Sequence, residues 1–530
     1  MGLLLTGGSV FDGHRYRGAA SVLLDGARVV AVGDRADLRE RDGRAREVDC
    51  AGGLVAPGFV DAHVHVAQGG LERLRCDLSE SATAEECLAA IAAYAGRLAP
   101  GDWLLGGGWS MASFPGGTPT AEAMDGVTGD RPAFLPNRDH HGAWVNSAAL
   151  RAAGITRDIP DPADGRIERD ADGHPTGTLH EGAMALVGDL VSETTDDELY
   201  DGLLAGQRYL HSLGVTGWQD AIIGDYAGMM DPGPSYRRAV ENGTLTADVV
   251  GALWWDRNRG LSQLPELLAR RQVLSSGRFR ATSVKIMQDG VAENFTAAML
   301  HPYLDRCGHA TDNRGHSFLP AADLRAAVQA LAEEDFQVHV HAIGDRGIRE
   351  ALDALDGAKP VRHHIAHVQV VHPDDIRRFA ELGVAANLQA LWACADDQMT
   401  ELTLPFLGPQ RSSWQYPFKD LQRAGARLVA GSDWPVSSPD PLQAIHVAVN
   451  RVAHGDEAEP FLPEQALDLE SAFAAYTSGS AWINHRDDAG VLEPDAVADV
   501  VLLDRDPFAG APEEVGATRA VQTWVSGVEL

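Results

Sequence analysis

Between residues 56 and 433 the chain alternates strand-like runs, rich in β-branched and aromatic residues, with helical patterns. The strand-like runs fall at 59–66, 214–219, 247–254, 282–287, 336–341, 363–368, 384–389 and 427–433. Helical patterns intervene at 322–334, 347–355, 373–382 and 417–424. Strands that alternate with helices must be joined by crossovers, which builds a parallel sheet with helices outside it. Eight such strands predict an α/β fold of the TIM-like (β/α)8 barrel type, with its active site at the C-terminal ends of the strands.

The spacing is uneven. Roughly 150 residues separate the first strand from the second, far more than a loose connection between neighbouring strands requires. The insertion, at 70–200, carries its own apolar segments, such as Trp103-Leu104-Leu105 and Ala133-Phe134-Leu135. It is therefore expected to fold as a cap over the strand ends. Residues 1–55 read as short strands; Asp25-Gly26 between two apolar runs is a two-residue hairpin signal. A piece this small buries too little core alone. The runs at 498–504 and 520–525 offer matching strands, so 1–55 and 486–530 are expected to combine into one β domain beside a barrel spanning 56–485.

Composition bounds the partners. A net charge of -32 argues against nucleic acid and against an anionic membrane surface. No apolar run reaches membrane-spanning length, and the N-terminus lacks the basic start and apolar length of a signal peptide. The 5 cysteines are dispersed with no CxxC pair, which predicts reduced thiols and a cytoplasmic setting. A small-molecule substrate is expected, and the sequence is compatible with a homo-oligomer.

The chemistry begins on the first strand, Phe59-Val60-Asp61-Ala62-His63-Val64-His65-Val66. Side chains alternate along a strand, so Asp61, His63 and His65 share one face and can converge on one metal ion. Alone, such a His-x-His is more often two neutral structural histidines. Other strand ends change that weighing: Lys285 lies on strand 4, His341 ends strand 5, His367 lies on strand 6 and Asp433 ends strand 8. Imidazole nitrogens and carboxylate oxygens suit zinc and neighbouring divalent ions. Asp433 precedes Trp434-Pro435, where a side chain can face both metal and substrate. Lys285 is unusual, because Lys359 and Lys419 are the only other lysines and arginine serves elsewhere. A desolvated lysine, unlike an arginine, can be neutral at physiological pH. A neutral amine can take up carbon dioxide as a carbamate, giving a carboxylated Lys285 able to bridge two ions.

The chain resembles the metal-dependent amidohydrolases, in particular the amidohydrolase 3 (YtcJ-like) group. The resemblance covers nearly the whole sequence. It rests on the stretches beginning at Ala56-Pro57-Gly58-Phe59, Asp139-His140-His141-Gly142 and Val284-Lys285-Ile286-Met287. It continues through His341-Ala342-Ile343-Gly344-Asp345, Arg362-His363-His364-Ile365 and Gly431-Ser432-Asp433-Trp434, in that order. It implies a TIM-like barrel beside a composite β-sandwich made by both chain ends. It also implies that His63, His65, His341, His367 and Asp433 form the metal site, with Lys285 as a carboxylated ligand. The family often has Glu at the position of Ala366.

Other residues are weighed singly. His339 shares a face with His341 and suits a supporting or core role better than ligation. His363 and His364 are expected to help build the site on strand 6. Trp109, His141 and Asp289 are candidate substrate-binding residues, while Asp289 also suits holding the loop after strand 4. His140, His174, His180 and His301 read as structural or surface residues. Trp109, Trp144, Trp392 and Trp434 hint at an aromatic pocket. Gly106-Gly107-Gly108 lacks the Lys and Ser/Thr of a phosphate loop.

The expected activity is hydrolysis of a C–N amide-type bond in an N-formyl amine, an N-acyl amine or a cyclic amide. One or two divalent ions, zinc foremost, lower the pKa of a water. Asp433 serves as general base and then acid, and His341 or His141 stabilises the oxyanion. Rival readings are a deaminase, a lactone or ester hydrolase, and a non-catalytic relative of the barrel. The family resemblance implies that deaminases on this scaffold typically need a Glu near the strand 5 histidine, where this chain has Ala342-Ile343-Gly344-Asp345.

Overall fold

Eight parallel strands follow one another around a single sheet: β1 (Phe59–Val64), β2 (Val215–Ile223), β3 (Asp248–Trp254), β4 (Phe279–Met287), β5 (Gln337–Ala342), β6 (His364–His367), β7 (Ala385–Leu388) and β8 (Leu428–Ala430). The computed structural model describes residues 2–138, 140, 142–162, 165–191, 194–226 and 229–530. Each strand pairs with the next in parallel, from β1 to β8. Just beyond β8 the chain meets β1 again. The Asp433 N–H donates to the His63 carbonyl at 2.7 Å, and the His65 N–H donates to the Trp434 carbonyl at 2.8 Å. Gly431 makes that approach possible, since a Cβ there would stand 2.5 Å from the His63 nitrogen.

The helices outside follow from apolar spacing. In Asp345–Leu355 the buried Ile348, Ala351, Leu352 and Leu355 recur at three- and four-residue steps, giving one stripe against the sheet. The helix Pro373–Leu382 starts on a proline at its first turn and stops at Gly383, which takes the left-handed conformation at φ 66°. Inside the barrel the usual filling of branched apolar side chains is replaced in part by amides and imidazoles. Gln219, Gln337, His339, His364 and Asn387 are all buried there. The register pairs Lys285 with His339 and His339 with His364, so inward residues of β4, β5 and β6 stand at one level.

Strands from both chain ends lie in another sheet, where Val500–Leu503 pairs antiparallel with Leu54–Pro57. Leu5, Val22, Val55, Leu492, Val500 and Trp524 share its core. Asp25-Gly26 forms the expected tight turn, with Asp25 opposite Arg28 and Gly26 at φ 53°.

The chain divides into two compact units. Met1–His65, Gln207–Trp434 and Ser438–Leu530 form one, and Val66–Gly206 with Pro435–Ser437 forms the other. The second unit has a six-stranded sheet that includes Ala133–Pro136 and Gly142–Val145, over a core containing Ile91, Leu104, Trp109, Met124 and Trp144. This unit reaches slightly beyond the insertion expected at 70–200 at both ends. Among the described residues no helix is long and apolar enough to cross a membrane.

Two strands stop before site residues that the sequence pattern places on them. β1 ends at Val64, before His65, because a helix (Val66–Leu74) begins at once. β8 ends at Ala430, three residues before Asp433, which takes φ 56° and so leaves the extended conformation.

Candidate metal centre

His63, His65 and Asp433 each offer a ligand atom, and these atoms lie within 4.8 Å of one another. The Asp433 Oδ1 stands 3.0 Å from His65 Nε2 and 3.2 Å from His63 Nε2. Lys285 points its amine into the same space, with Nζ 3.2 Å from His63 Nε2. His341 and His367 complete the ring of groups. Their imidazole centroids are 4.4 Å apart, and the His367 ring lies 4.9 Å from that of His63.

All but His65 are nearly sealed from solvent, which sets their charge. Burial, with the neighbouring Lys285, pushes His63 and His341 down to about 3. Burial likewise holds His367 well below the usual imidazole range. Burial lowers Lys285 to about 7. For Asp433 burial works the other way, but the facing His63, His65 and His367 outweigh it and keep the carboxylate ionised. Neutral imidazoles expose nitrogen lone pairs, and an ionised carboxylate joins them.

Two observations show that these residues fit a divalent ion. Among the described residues neither ring nitrogen of the buried His367 has a hydrogen-bond partner, a costly state for a polar group unless something is bound there. The donors are imidazole nitrogen, carboxylate oxygen and amine, a set suited to zinc and its neighbours. The backbone is forced into place as well. His367, Val368 and Asp433 have φ values of 78°, 40° and 56°, a region that favours glycine and that costs a side chain such as valine backbone strain.

Several sequence expectations are corrected by where the side chains lie. Asp61 does not join the ligand cluster. Its carboxylate accepts hydrogen bonds from the His63 N–H (2.9 Å), the Ser432 N–H (3.1 Å) and the Ser432 hydroxyl (2.6 Å). It thereby clasps β1 to the segment that carries Asp433. Asp289 is also turned away from substrate. It is fully buried, and its carboxylate accepts from the N–H groups of Ile343, Gly344 and Ala298 at 2.8–2.9 Å. That is the loop-holding alternative. Trp109 is 1% exposed in the core of the second unit, and its indole N–H donates to the Leu135 carbonyl at 2.7 Å. Such a residue fills a core rather than touching a ligand. His141 lies outside the described residues.

His341 directs Nε2 at the Gly290 carbonyl, 3.3 Å away, which leaves Nδ1 for a metal and no free N–H for an oxyanion. His363 belongs to the far end of β6. It accepts from the Val338 N–H at 3.0 Å and bonds the Lys359 carbonyl at 2.8 Å, so it ties strands together below the site. His339 and His364 lie beneath the cluster with their rings 4.0 Å apart, in supporting positions. The residues that sequence reasoning overlooked are Gln219, Gln337, Asn387 and Gln389, all buried in the barrel. Their one visible signal is an amide inside an otherwise apolar strand run.

The mouth of the barrel is aromatic. The Trp392 indole stacks on His367 at 5.4 Å and 2° between planes. Trp254, at the end of β3, lies 4.4 Å from Tyr226, whose hydroxyl is 3.4 Å from Met287 Sδ at the end of β4. Trp144 is a core residue of the second unit, and Trp434 is almost fully buried.

Comparison with known proteins identifies the family. Residues 46–530 match the model of the amidohydrolase family. The chain is 29% identical to the putative amidohydrolase YtcJ of Bacillus subtilis, over 96% of this chain and 95% of that one. It is 27% identical to the N-substituted formamide deformylase of Arthrobacter pascens, over 96% of this chain and 94% of that one. Among solved structures it superposes on an uncharacterized metal-dependent hydrolase from Pyrococcus furiosus with a TM-score of 0.72 and 26% identity, covering 96% of this chain and 100% of the other. A ring of buried imidazoles at the C-terminal end of a parallel barrel and a family match over most of the sequence lead to one conclusion: the chain belongs to the amidohydrolase family, metal-dependent enzymes that hydrolyse carbon–nitrogen bonds.

Proposed function

We propose that this enzyme hydrolyses the amide bond of an N-formyl or N-acyl amine with an apolar substituent on nitrogen, using Asp433 as the proton carrier. The observation that carries the reading is the convergence of His63, His65 and Asp433 within 4.8 Å, beside a His367 whose ring nitrogens have no hydrogen-bond partner among the described residues. Residues His63, His65, Lys285, His341, His367 and Asp433 would hold one or two zinc ions. When bound, zinc lowers the pKa of a water and polarises a carbonyl oxygen.

The chain's own groups do the rest. The Asp433 carboxylate is ionised and hydrogen-bonded to His65 Nε2 at 3.0 Å, so it can take a proton from the attacking water at a carboxylate oxygen. The same oxygen then returns that proton to the leaving nitrogen. The amine of Lys285, lowered to about 7 by burial, is partly neutral at physiological pH and open to carbon dioxide. Addition of carbon dioxide to that nitrogen, with loss of its proton to solvent, would give a carbamate whose oxygens would help hold a second ion. The aromatic groups Trp392, Trp254 and Tyr226 offer flat apolar faces for the nitrogen substituent. The formamide deformylase among the relatives supports this choice of substrate class. The 5 free cysteines, four of them buried, suit a cytoplasmic protein.

The test is a hydrolysis screen with zinc-loaded and chelator-treated enzyme, using N-formyl and N-acyl benzylamines, cyclic amides and lactones. Zinc-dependent release of benzylamine is expected. Turnover confined to lactones, or a rate indifferent to chelation, would sink the proposal.

A further inference from the structure

Beneath the ligand cluster a chain of buried amides and imidazoles runs from backbone carbonyls to His63, and each link leaves the next with one choice of hydrogen position. It begins at Gln337. Its Nε2 donates to two backbone carbonyls, of Arg362 at 2.9 Å and of Ile483 at 2.6 Å. Carbonyls only accept, so that end of the side chain is fixed as the amide nitrogen, and Gln337 Oε1 must face the other way. Gln219 Nε2 lies 2.9 Å from that oxygen and 3.0 Å from Asn484 Oδ1, so Gln219 presents its own Oε1 to the barrel centre.

That oxygen meets two imidazoles, His339 Nδ1 at 2.7 Å and His364 Nε2 at 3.0 Å. An amide oxygen cannot donate, so both of these nitrogens carry hydrogen. The assignment for His364 is checked independently from its other side. There Asn387 Nδ2, which also donates to the Ala62 carbonyl at 3.0 Å, lies 3.1 Å from His364 Nδ1 and requires an acceptor. Among the described residues no carboxylate is hydrogen-bonded to His339, so nothing there favours a cation. With its hydrogen on Nδ1, the neutral His339 ring has a lone pair on Nε2. His63 Nδ1 stands 3.0 Å from it and must therefore carry a hydrogen, which leaves the lone pair of His63 on Nε2. That nitrogen faces Lys285 Nζ and Asp433 Oδ1, each at 3.2 Å. Two electron-rich atoms, His63 Nε2 and the carboxylate oxygen, then oppose each other across a gap that a cation would relieve.

We propose that Gln219 is a positioning residue for the metal centre: through His339 it fixes the tautomer of His63, so that Nε2 is presented to the ion before the ion arrives. The inference rests on the reading that His63 is a ligand. It extends that reading to a residue two hydrogen bonds away, whose role follows from the direction of those bonds. Outer partners that fix a ligating imidazole commonly change metal affinity about 10–100-fold.

The experiment measures zinc affinity of the full-length protein by chelator competition at pH 7.5 for wild type, His63→Ala, His339→Leu, His339→Gln and Gln219→Met. It also reads the tautomer of His63 in metal-free wild-type protein by nitrogen-15 NMR of labelled histidines. The expected results are a proton on His63 Nδ1, zinc binding weakened roughly 10–100-fold in Gln219→Met and His339→Leu, and partial recovery in His339→Gln. Glutamine can recover binding because its side-chain oxygen can accept from His63 Nδ1. If His63→Ala binds zinc as well as wild type, the ligand reading itself fails. If His63→Ala is weakened but Gln219→Met is not, the ligand reading stands and the tautomer inference is overturned. The NMR arm needs no variant to fold, and a proton on His63 Nε2 overturns the inference by itself.

Discussion

Replacing Lys285 by methionine should make the metal-free protein more stable while it destroys the metal site. The amine is 3% exposed inside the barrel mouth, and burial moves its pKa from 10.5 to about 7. A depressed lysine pKa means that the unfolded chain holds a proton which the folded chain has lost. Between pH 7 and 10.5 the wild type therefore gains stability as pH rises, and below pH 7 it bears the full cost of the buried amine. The shift of about 3.5 pH units corresponds to about 5 kcal/mol at 1.36 kcal/mol per unit. Methionine fills a similar volume without a charge, but it gives up the contact to His63 Nε2, worth about 1 kcal/mol. The net expectation is about 3–4 kcal/mol in favour of Lys285→Met at pH 7, with about 2 kcal/mol of the burial cost left at pH 9 and none above pH 10.5. Urea midpoints followed by circular dichroism, in chelator and carbon-dioxide-free buffer, measure the gap. Adding zinc and bicarbonate should reverse the order, because ligation stabilises the wild type alone. A variant less stable than wild type at pH 7, or a gap that does not change between pH 7 and 10, would refute the reasoning.

Two further outcomes are expected. Asp61→Ala leaves two buried N–H groups and the Ser432 hydroxyl without their acceptor, so it should cost about 2–5 kcal/mol in urea unfolding and lower zinc content by elemental analysis. Trp392→Ala should raise KM for substrates with an aromatic nitrogen substituent, with little change in zinc stoichiometry, since the indole stacks on His367 through its face only.

The parts of this molecule that sequence reveals are those with a period. Runs such as 282–287 and 336–341 alternate every second residue, so the strands and their order could be placed, and the inward face of β5 could be read from His339 and His341. Histidines and the rare Lys285 carry chemical signatures that single them out. Direction is what the pattern lacks. Asp61 sits on the same alternating face as His63, yet its carboxylate turns to Ser432, because three donors there satisfy it better than the ligand cluster would. Trp109 suits a pocket or a core equally by sequence, since an indole buries well in either, and its 1% exposure among core neighbours decides. Gln219 was invisible for a different reason. A glutamine has no distinguishing chemistry until the donors and acceptors around it are known, and those come from β5, β6 and the segment near Asn484, far away in sequence.

The left-handed backbone at His367 and Asp433 bears on how this protein can be altered by selection. Each non-glycine residue held in that region costs about 1–3 kcal/mol, and asparagine or glycine would relieve part of it. A selection for heat tolerance alone, with no demand for turnover, would be drawn to these two positions among the earliest, exchanging function for rigidity. Substitutions enriched under heat but depleted under a growth requirement would then mark the strained residues of the proposed metal centre, and a paired selection of that kind could locate such a site in a relative for which no structure has been determined.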